Sequence, residues 1–321
     1  MKYCPHCRTG FPDHLENCPT HGILLSEILD LKPGMLIRGT YRIVRKLGEG
    51  GMGSVYLADH TLMEEPRALK FLSRQWAGDQ GFTARFRREV KTLHQIRHPH
   101  VVDSGDLELA EDNSLFFAME FVDGPDLREF MTRALRPFDV GLALELARGI
   151  AKGLGAAHSR GMVHRDIKPE NILLAREADR WVPKIADFGI VATKEASTTR
   201  TRTGASLLTW AYAAPEQWRG LRSAELDGRT DLYALGGVLF EMLTGRQAFD
   251  AESYEGWAEE HKFTAPPAPS RLRPELGAWI GLEALVLKLL AKERDDRPRN
   301  VAEVLAALDG IERAPGPQRV T

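Results

Sequence analysis

The most informative stretch of the sequence reads HRDIKPEN at residues 164–171, and DFG follows it at residues 187–189. Together the two strings supply two acids, an amide and a lysine, namely Asp166, Asp187, Asn171 and Lys168. Carboxylate and amide oxygens are hard ligands of the kind that magnesium prefers, and a lysine neutralises phosphate charge. Each residue taken singly is explained equally well by an exposed loop. Their combination in this order predicts a site that handles a metal ion and a phosphate group.

Length, composition and net charge restrict the kinds of protein that this sequence can encode. A chain of 321 residues with 43% hydrophobic residues can bury a large core. Its net charge of -2 makes nucleic acid an unlikely partner, because phosphate neutralisation requires a basic surplus. The sequence has neither an apolar run long enough to span a bilayer nor a signal-peptide pattern at its amino terminus. We therefore expect a cytoplasmic protein without a membrane segment.

A glycine-rich loop, LGEGGMGSVY, occupies residues 47–56. Glycines at 48, 50 and 53 allow the backbone to lie close to phosphate groups. A dinucleotide-binding turn has similar glycines but leads into a helix. Here the residues after the loop continue as a strand, which favours a nucleotide-binding hairpin.

Lys70 lies in a predicted strand, where the simplest interpretation is an edge-strand lysine that reaches solvent. The helix that follows argues otherwise, because Glu89 falls within its apolar stripe, and a carboxylate there is costly unless it is paired. The stripe consists of Phe82, Phe86, Val90, Leu93 and Ile96.

These motifs, in this order, resemble those of the protein kinase family, and the resemblance covers roughly residues 41–308. Lys168 resembles the lysine of the serine/threonine class. The APEQ string at residues 214–217 and the segment from Pro266 to Pro274 resemble the bacterial eukaryotic-like (Hanks-type) serine/threonine kinases. The resemblance implies an α+β bilobal fold, with an antiparallel sheet and one main helix in the small lobe and a mostly helical large lobe. It also implies that Asp231 clamps the catalytic loop and that Arg297 pairs with Glu216.

The resemblance also implies roles for the site residues. Asp166 would accept the proton of the substrate hydroxyl, and Lys168 would stabilise the transferred phosphate. Lys70, paired with Glu89, would reach the inner phosphates of ATP. Asn171 and Asp187 would hold Mg²⁺ or Mn²⁺. The predicted nucleotide-binding residues are Leu47, Gly48, Glu49, Gly50, Gly51, Met52, Gly53, Val55, Ala68, Lys70, Met119, Glu120, Val122 and Leu173.

Residues 116–124 resemble the hinge between the two lobes of a kinase, with backbone groups of Glu120 and Val122 at the adenine edge and Met119 at the back of the pocket. An ordinary buried strand is equally compatible with this segment. Between Pro99 and Gly105 the chain is a few residues short of the family pattern. We therefore expect the next strand to be truncated or bulged.

The segment between residues 189 and 214 is rich in threonine and serine. A solvated loop is one interpretation. Because Arg165 precedes the catalytic Asp166, the resemblance instead implies control by autophosphorylation, for which we predict Thr201 or Thr203 and a homodimer that phosphorylates in trans. Thr209 would contact Asp166 and Lys168, but Leu208 stands where the family usually has glycine.

All three cysteines lie in the first 18 residues, in the knuckles CPHC at residues 4–7 and CPTH at residues 18–21. This spacing suits structural Zn²⁺ bound by Cys4, Cys7, Cys18 and His21, as in a small zinc ribbon. His6 and His14 are competing ligands, and a metal-free tail with reduced thiols is the alternative.

The predicted organisation has four parts. A zinc-ribbon-like segment spans residues 1–22, and a short helix or packed linker spans 23–40. A catalytic domain spans 41–308, and a tail, disordered from Arg313, spans 309–321. Three functions remain open: an ATP-dependent kinase acting on serine and threonine of protein substrates, a pseudokinase scaffold that binds nucleotide, and a small-molecule phosphotransferase of kinase-like fold.

Overall fold

The computed structural model divides the chain into two compact units. The first comprises Met1–Gln95 and Asp103–Phe121, and the second comprises Ile96–Val102 and Val122–Thr321. The described residues are 2–4, 6, 10–11, 14–27, 31–50, 53–73, 80–112, 114–134, 136–188, 207–222 and 225–313. The division between Phe121 and Val122 falls within the segment predicted to be the hinge.

A small antiparallel sheet lies at the amino terminus. Its strands are β1 (Lys2–Tyr3), β2 (Gly10–Phe11) and β3 (Ser26–Glu27), in the order β2-β1-β3. Cys4, Cys18 and Leu25 are buried together beside it, with Phe11 and Leu15 packed against them. This apolar cluster is too small to stabilise a fold by burial alone.

The main sheet of the first unit has six strands in the order β4-β5-β6-β7-β9-β8. Neighbouring strands are antiparallel. The strands are β4 (Leu36–Ile37), β5 (Tyr41–Gly50), β6 (Gly53–His60), β7 (Glu65–Leu72), β8 (Ser104–Leu109) and β9 (Leu115–Glu120). Ile43, Leu69 and Phe116 are almost fully buried in the core of this sheet. Strand β7 lies between β6 and β9, and its consecutive residues from Ala68 to Leu72 are buried, so both faces of that part of the strand are covered.

Helix α1 (Gln80–His94) packs beside β8. Phe86, Val90 and Leu93 recur at helical spacing and are buried, as predicted from their pattern. The side chain of Phe82 is not among those that the structure describes. Strand β8 has six residues, with a register shift between Ser104 and Leu107. The bulged alternative predicted for this strand is therefore correct.

The second unit is mostly helical. Its described helices are α2 (Leu127–Ala134), α3 (Val140–His158), α4 (Pro215–Trp218), α5 (Gly228–Thr244), α6 (Tyr254–Phe263), α7 (Pro269–Leu272), α8 (Leu282–Leu289) and α9 (Val301–Asp309). Asp139 and Asp227 cap the amino termini of α3 and α5, where each carboxylate accepts a backbone N–H bond. Every residue of α5 from Thr230 to Thr244 is buried, so α5 is the central helix of this unit. The two units together give the predicted α+β class, with an antiparallel sheet and one main helix in the first unit and mostly helices in the second.

Two short antiparallel pairs complete the second unit. Strands β10 (Ile172–Glu177) and β11 (Arg180–Ile185) form a hairpin, and β12 (Trp279–Ile280) pairs with β13 (Glu312–Arg313). The tail predicted to be disordered from Arg313 thus begins with a residue that pairs with Trp279. Pairing of Ile172 with Ile185 brings the residues just outside the hairpin, Asn171 and Ala186, to the same end.

The predicted linker at residues 23–40 contains strands in place of the helix that we considered. In the described residues 23–27 and 31–40 there is no helix, and the named strands are the two-residue strands β3 and β4. Leu31 and Ile37 are buried in the core of the six-stranded sheet, which agrees with the packed-linker alternative. Among the described helices, none is both long enough and apolar enough to cross a membrane.

Candidate active site

The glycine-rich segment forms a hairpin. Glu49 pairs with Ser54, and Gly50 pairs with Gly53, at the end of β5 and β6. Because β6 follows the loop, the dinucleotide-binding alternative is excluded. Gly53 has a φ of 145°, and a Cβ there would lie 1.8 Å from the carbonyl oxygen of Phe71. A Cβ at Gly48 would meet nothing within 4 Å. Gly51 and Met52 lie outside the described residues.

Lys70 lies in the middle of the sheet rather than at an edge. It pairs with Val55 on β6 and Phe117 on β9, and it is 9% exposed. Edge-strand exposure is therefore the wrong explanation for this lysine. Glu89 is half-buried on α1, and the Phe86 ring of that helix lies 6.2 Å from the ring of Phe117. The pairing of Lys70 with Glu89 stays a prediction.

The predicted adenine-binding residues are distributed over several strands. Ala68 is buried on β7 and pairs with Met119 on β9. The N–H of Glu120 donates to the carbonyl of Asp103 at 2.8 Å. Val122 is buried, and its carbonyl accepts the N–H of Gly124 at 3.1 Å. Leu47, Val55 and Leu173 are half-buried on β5, β6 and β10. Their contact with a nucleotide stays a prediction.

The catalytic loop is held by one buried carboxylate. Asp231, on α5, is 1% exposed. Its Oδ2 accepts the backbone N–H of His164 at 2.8 Å, and its Oδ1 accepts that of Arg165 at 2.7 Å. The ring of His164 is also buried and lies 2.9 Å from the carbonyl of Ala186. The predicted clamp of the loop by Asp231 is thus confirmed.

Three of the predicted reactive residues lie together in this loop. Lys168 Nζ lies 3.2 Å from Oδ2 of Asp166. Asn171 Nδ2 donates to the Asp166 carbonyl at 2.7 Å and to its Oδ2 at 3.2 Å. The carboxylate of Asp166 is 23% exposed. Arg165, immediately before it, has a φ of 68°, a strained conformation of the kind found at functional sites.

Asn171 and Asp187 lie at the same end of the β10–β11 hairpin. The N–H of Ala186 donates to the carbonyl of Asn171 at 2.9 Å, which places Asp187 one residue beyond that bond. Asp187 has a φ of 53°, again in the left-handed region. Because Asn171 uses its amide nitrogen to bond Asp166, its amide oxygen is available as a metal ligand. An amide oxygen and a carboxylate fit magnesium. Gly189 lies outside the described residues.

A buried ion pair supports the start of α4. Arg297 donates two bonds of 2.8 Å, one to each carboxylate oxygen of Glu216. Both side chains are nearly inaccessible to solvent. Burial raises the pKa of Glu216, but the bonds and charge of Arg297 outweigh it, and the net pKa is lowered. The predicted pairing of these two residues is confirmed.

Sequence reasoning missed three side chains that support the loop. Gln217 Nε2 donates to the carbonyl of Arg165 at 2.9 Å. His158, at the end of α3, lies with Nε2 2.7 Å from Oδ2 of Asp231. Arg128, on α2, donates to Glu170 of the catalytic loop at 3.0 Å and to Glu241 of α5 at 2.6 Å. The partners of His158 and Arg128 lie far away in the sequence, so no local pattern identifies them.

The amino-terminal knuckles bring three of the four predicted zinc ligands together. His21 Nδ1 lies 3.9 Å from Cys4 Sγ and 3.5 Å from Cys18 Sγ. The ring of His6 packs against His21, with centroids 4.3 Å apart. A turn closes the second knuckle, where the N–H of Gly22 donates to the Cys18 carbonyl at 2.8 Å. Cys7 lies outside the described residues.

Comparison with known proteins agrees with this geometry. Residues 41–306 match the family model described as the protein kinase domain. The chain belongs to the protein kinase family. Among its curated kinase relatives, serine/threonine-protein kinase pkn3 of Myxococcus xanthus is 35% identical over 284 residues, which cover 87% of this chain and 51% of the relative. Serine/threonine-protein kinase PrkC of Bacillus subtilis is 39% identical over 260 residues, which cover 81% of this chain and 38% of the relative.

A solved kinase structure extends this comparison. The crystal structure of the PknI kinase domain of Mycobacterium tuberculosis aligns with a TM-score of 0.67 at 30% identity. The alignment covers 87% of this chain and 98% of that kinase domain. The chain spans about half or less of the length of the curated kinases above.

Proposed function

We propose that the chain is an ATP-dependent protein kinase that transfers the γ-phosphoryl group to serine and threonine hydroxyls of protein substrates. The observation that carries the proposal is the catalytic loop. Asp166 is placed by Asn171 and Lys168, and its backbone neighbours are held by the buried Asp231. A loop in a strained conformation and held by a buried acid is preorganised for chemistry.

In this proposal the protein contributes positioning and charge rather than covalent chemistry. The Asp166 carboxylate accepts the proton of the acceptor hydroxyl while that oxygen bonds to the γ-phosphorus, and the bond to the bridging oxygen of ADP breaks. Lys168, 3.2 Å from the same carboxylate, neutralises charge on the transferred group. Asn171 and Asp187 would hold magnesium, which supplies positive charge to the phosphate oxygens. Lys70 would bind the inner phosphates.

The test is phosphate transfer from labelled ATP with magnesium to a general protein substrate, beside an Asp166→Asn control. We expect label in protein with the wild type and a loss of about 10²- to 10⁴-fold in the variant, the usual contribution of a general base. Nucleotide binding without transfer would favour the pseudokinase. Transfer to small molecules alone would favour the phosphotransferase.

We further propose control by autophosphorylation at Thr201 or Thr203, carried out in trans within a homodimer. Both threonines lie outside the described residues. Support comes from Arg165, which precedes the catalytic Asp166 and has a left-handed backbone conformation. Peptide mass analysis after incubation with ATP tests this proposal. Absence of phosphate between residues 193 and 209 would contradict it, and sedimentation measures the oligomeric state.

We also propose that Cys4, Cys7, Cys18 and His21 bind one structural zinc ion. Support comes from the burial of Cys4 and Cys18, and from the convergence of their sulfur atoms with the His21 ring within 4.8 Å. Thiolates and imidazole are the ligands that zinc prefers. We expect about one zinc per chain after dialysis and loss of zinc in His21→Gln. His14→Gln is the matched control, and a His14 variant that lost zinc instead would overturn the ligand assignment.

A further inference from the structure

A cavity of about 270 Å³ lies in the second unit, between α2 and the carboxyl end of α5. Its apolar walls include Met131, Phe138 and Met242, and three arginines also line it: Arg128, Arg136 and Arg246. The volume suits one or two amino-acid side chains rather than a nucleotide, since ligand pockets usually exceed about 300 Å³.

The cavity shares a wall with the catalytic machinery. Arg128 lines the cavity and also donates to Glu170, the residue before the predicted magnesium ligand Asn171. Arg128 and Glu241 each bond the hydroxyl of Tyr212, which lies in the helical turn Leu207–Tyr212. That turn contains Thr209, for which the family resemblance implies contact with Asp166 and Lys168. The cavity is therefore connected through Arg128 to both the catalytic loop and the turn Leu207–Tyr212.

The charge around the cavity is unbalanced. Among the described residues that line the cavity, Glu241 is the one acid, and Arg128 pairs with it at 2.6 Å. Arg136 and Arg246 are both exposed, and neither has an acidic partner among the residues that the structure describes. Surface arginines are commonly solvated, but these two line the same cavity, in which Glu241 is already paired with Arg128. The lining of the cavity therefore includes two arginines without an acidic partner among the described residues, together with the apolar side chains of Met131, Phe138 and Met242.

We infer that this cavity is a substrate subsite that accepts an acidic side chain, a carboxylate or a phosphate, of the protein substrate. The inference rests on the proposed kinase function and adds a substrate class to it. An anionic group would bond the guanidinium groups of Arg136 and Arg246, which suit carboxylate and phosphate geometry. The apolar stem of the same side chain would lie against Phe138 and Met242.

Peptide binding tests the inference without requiring transfer. Fluorescence anisotropy would measure three labelled peptides of identical length around one serine, in which the flanking positions carry glutamate, phosphoserine or glutamine. We expect wild type to bind the glutamate peptide, the phosphoserine peptide or both about tenfold more tightly than the glutamine peptide, in line with two exposed charge pairs. The preference should weaken in 0.5 M salt through screening.

Two variants localise the effect. Arg136→Gln combined with Arg246→Gln should abolish the preference and leave binding of the glutamine peptide unchanged. Arg160→Gln removes an exposed arginine of the same unit that does not line the cavity, and it should preserve the preference. Equal binding of all three peptides by wild type, or a preference that survives the double substitution, would overturn the inference.

Transfer kinetics separate this inference from the proposed function. With the same peptides and ATP, the double variant should raise KM for the acidic peptides by about tenfold and leave kcat unchanged. Preferential binding of acidic peptides without transfer to any protein would contradict the kinase function and still support the subsite. Transfer to the peptides without any preference for the acidic ones would support the kinase function and contradict the subsite.

Discussion

At the scale of single residues, Asp231 illustrates how a buried side chain controls a site that it does not enter. Its carboxylate is 2.7–2.8 Å from three donors: the backbone N–H groups of His164 and Arg165, and the ring of His158. These bonds hold Arg165 in a left-handed conformation that a non-glycine residue adopts only at a cost. The position of Asp166 therefore depends on a residue 65 positions away, as their numbers show.

Replacing this acid should weaken both the fold and the activity. In Asp231→Asn one oxygen becomes an NH₂ group, which faces a donor rather than accepting from it. We expect a loss of about 2 kcal/mol in the free energy of unfolding, the range for hydrogen bonds to charged groups, and a fall in kcat. Urea unfolding and transfer kinetics measure the two effects. The exposed Asp250→Asn is the control, and equal effects of the two substitutions would contradict the prediction.

Two glycines of the same loop should respond differently to alanine. Gly53→Ala should lower the free energy of unfolding by about 2 kcal/mol or more, because its φ is 145° and the added Cβ would overlap the carbonyl of Phe71. Gly48→Ala should stay within about 0.5 kcal/mol, since the space around it is open. Urea unfolding of both variants checks this contrast. A similar loss for both would show that backbone strain at Gly53 is not the cause.

At the scale of elements, the buried pair of Glu216 and Arg297 connects α4 with the segment before α9. Arg297 also donates to the carbonyls of Ala291 and Lys292, at 2.8 and 3.0 Å, so one guanidinium links three parts of the chain. Removing one partner of such a pair strongly lowers the free energy of unfolding, because the remaining partner is left as an unpaired buried charge.

An exposed pair formed by the residue just after α4 provides the comparison. Arg297→Met should cost about 3–5 kcal/mol of unfolding free energy, since Glu216 then stays buried without its partner. Arg219→Met removes the partner of Glu293, which lies 2.6 Å away in a pair that is 41% and 62% exposed. That substitution should cost less than about 1 kcal/mol. Denaturant unfolding of both variants at pH 7 measures the two losses of unfolding free energy. Equal losses would contradict the prediction that burial makes the Glu216–Arg297 pair the costlier one to break.

Helix α6 carries a histidine that should make stability depend on pH. Burial, aided by the charge of Lys292, lowers the pKa of His261 to about 3. Unfolded chains bind a proton to histidine below about pH 6.5, whereas the folded protein does not. Stability should therefore fall as pH decreases from 6.5, by up to about 1.4 kcal/mol per pH unit for this residue.

The variant His261→Gln isolates this contribution. Glutamine can still bond the hydroxyl of Tyr233, which lies 2.9 Å from the histidine ring, but it cannot take up a proton. The free energy of unfolding of the wild type and of the variant should be measured between pH 6.5 and 5, which lies above the range in which Glu216 titrates. Burial also lowers the pKa of His98 and His100, so the wild type minus variant difference is the quantity to measure. Parallel pH profiles would contradict the prediction.

At the scale of the whole molecule, two separate hydrophobic clusters lie among the described residues of the first unit. One fills the six-stranded sheet, and the other comprises Cys4, Cys18 and Leu25 beside the small amino-terminal sheet. A cluster of three buried side chains cannot offset the entropy of ordering its segment, so the proposed zinc ion would supply most of that stability.

Removal of zinc should therefore act locally. A strong chelator should abolish protection from hydrogen exchange in residues 2–27 and leave the protection of β5–β7 unchanged. Exchange measured by mass spectrometry with and without chelator checks this, with Cys18→Ser as a second route to the metal-free state. Unchanged exchange in residues 2–27 would argue that the apolar cluster suffices and that zinc is not structural.

Short-range patterns were enough to identify the family and to predict its reactive residues. HRDIKPEN, the glycine hairpin and Lys70 are recognisable because each depends on residues within a few positions of one another, and strand or helix periodicity follows from local geometry. The helix alternative for residues 23–40 was wrong in the described part, because the pattern of Leu31 and Ile37 serves a tertiary core rather than a helix face.

Only the tertiary structure assigned the partners that hold those residues in place. Arg128 meets Glu241 across 113 positions of sequence, His158 meets Asp231 across 73, and Gln217 meets Arg165 across 52. No local periodicity encodes such pairs, because they form when α2, α4 and α5 pack in a particular arrangement. The residue types thus specify the chemistry of the site, whereas packing determines which side chains support it and where the arginine-lined cavity lies.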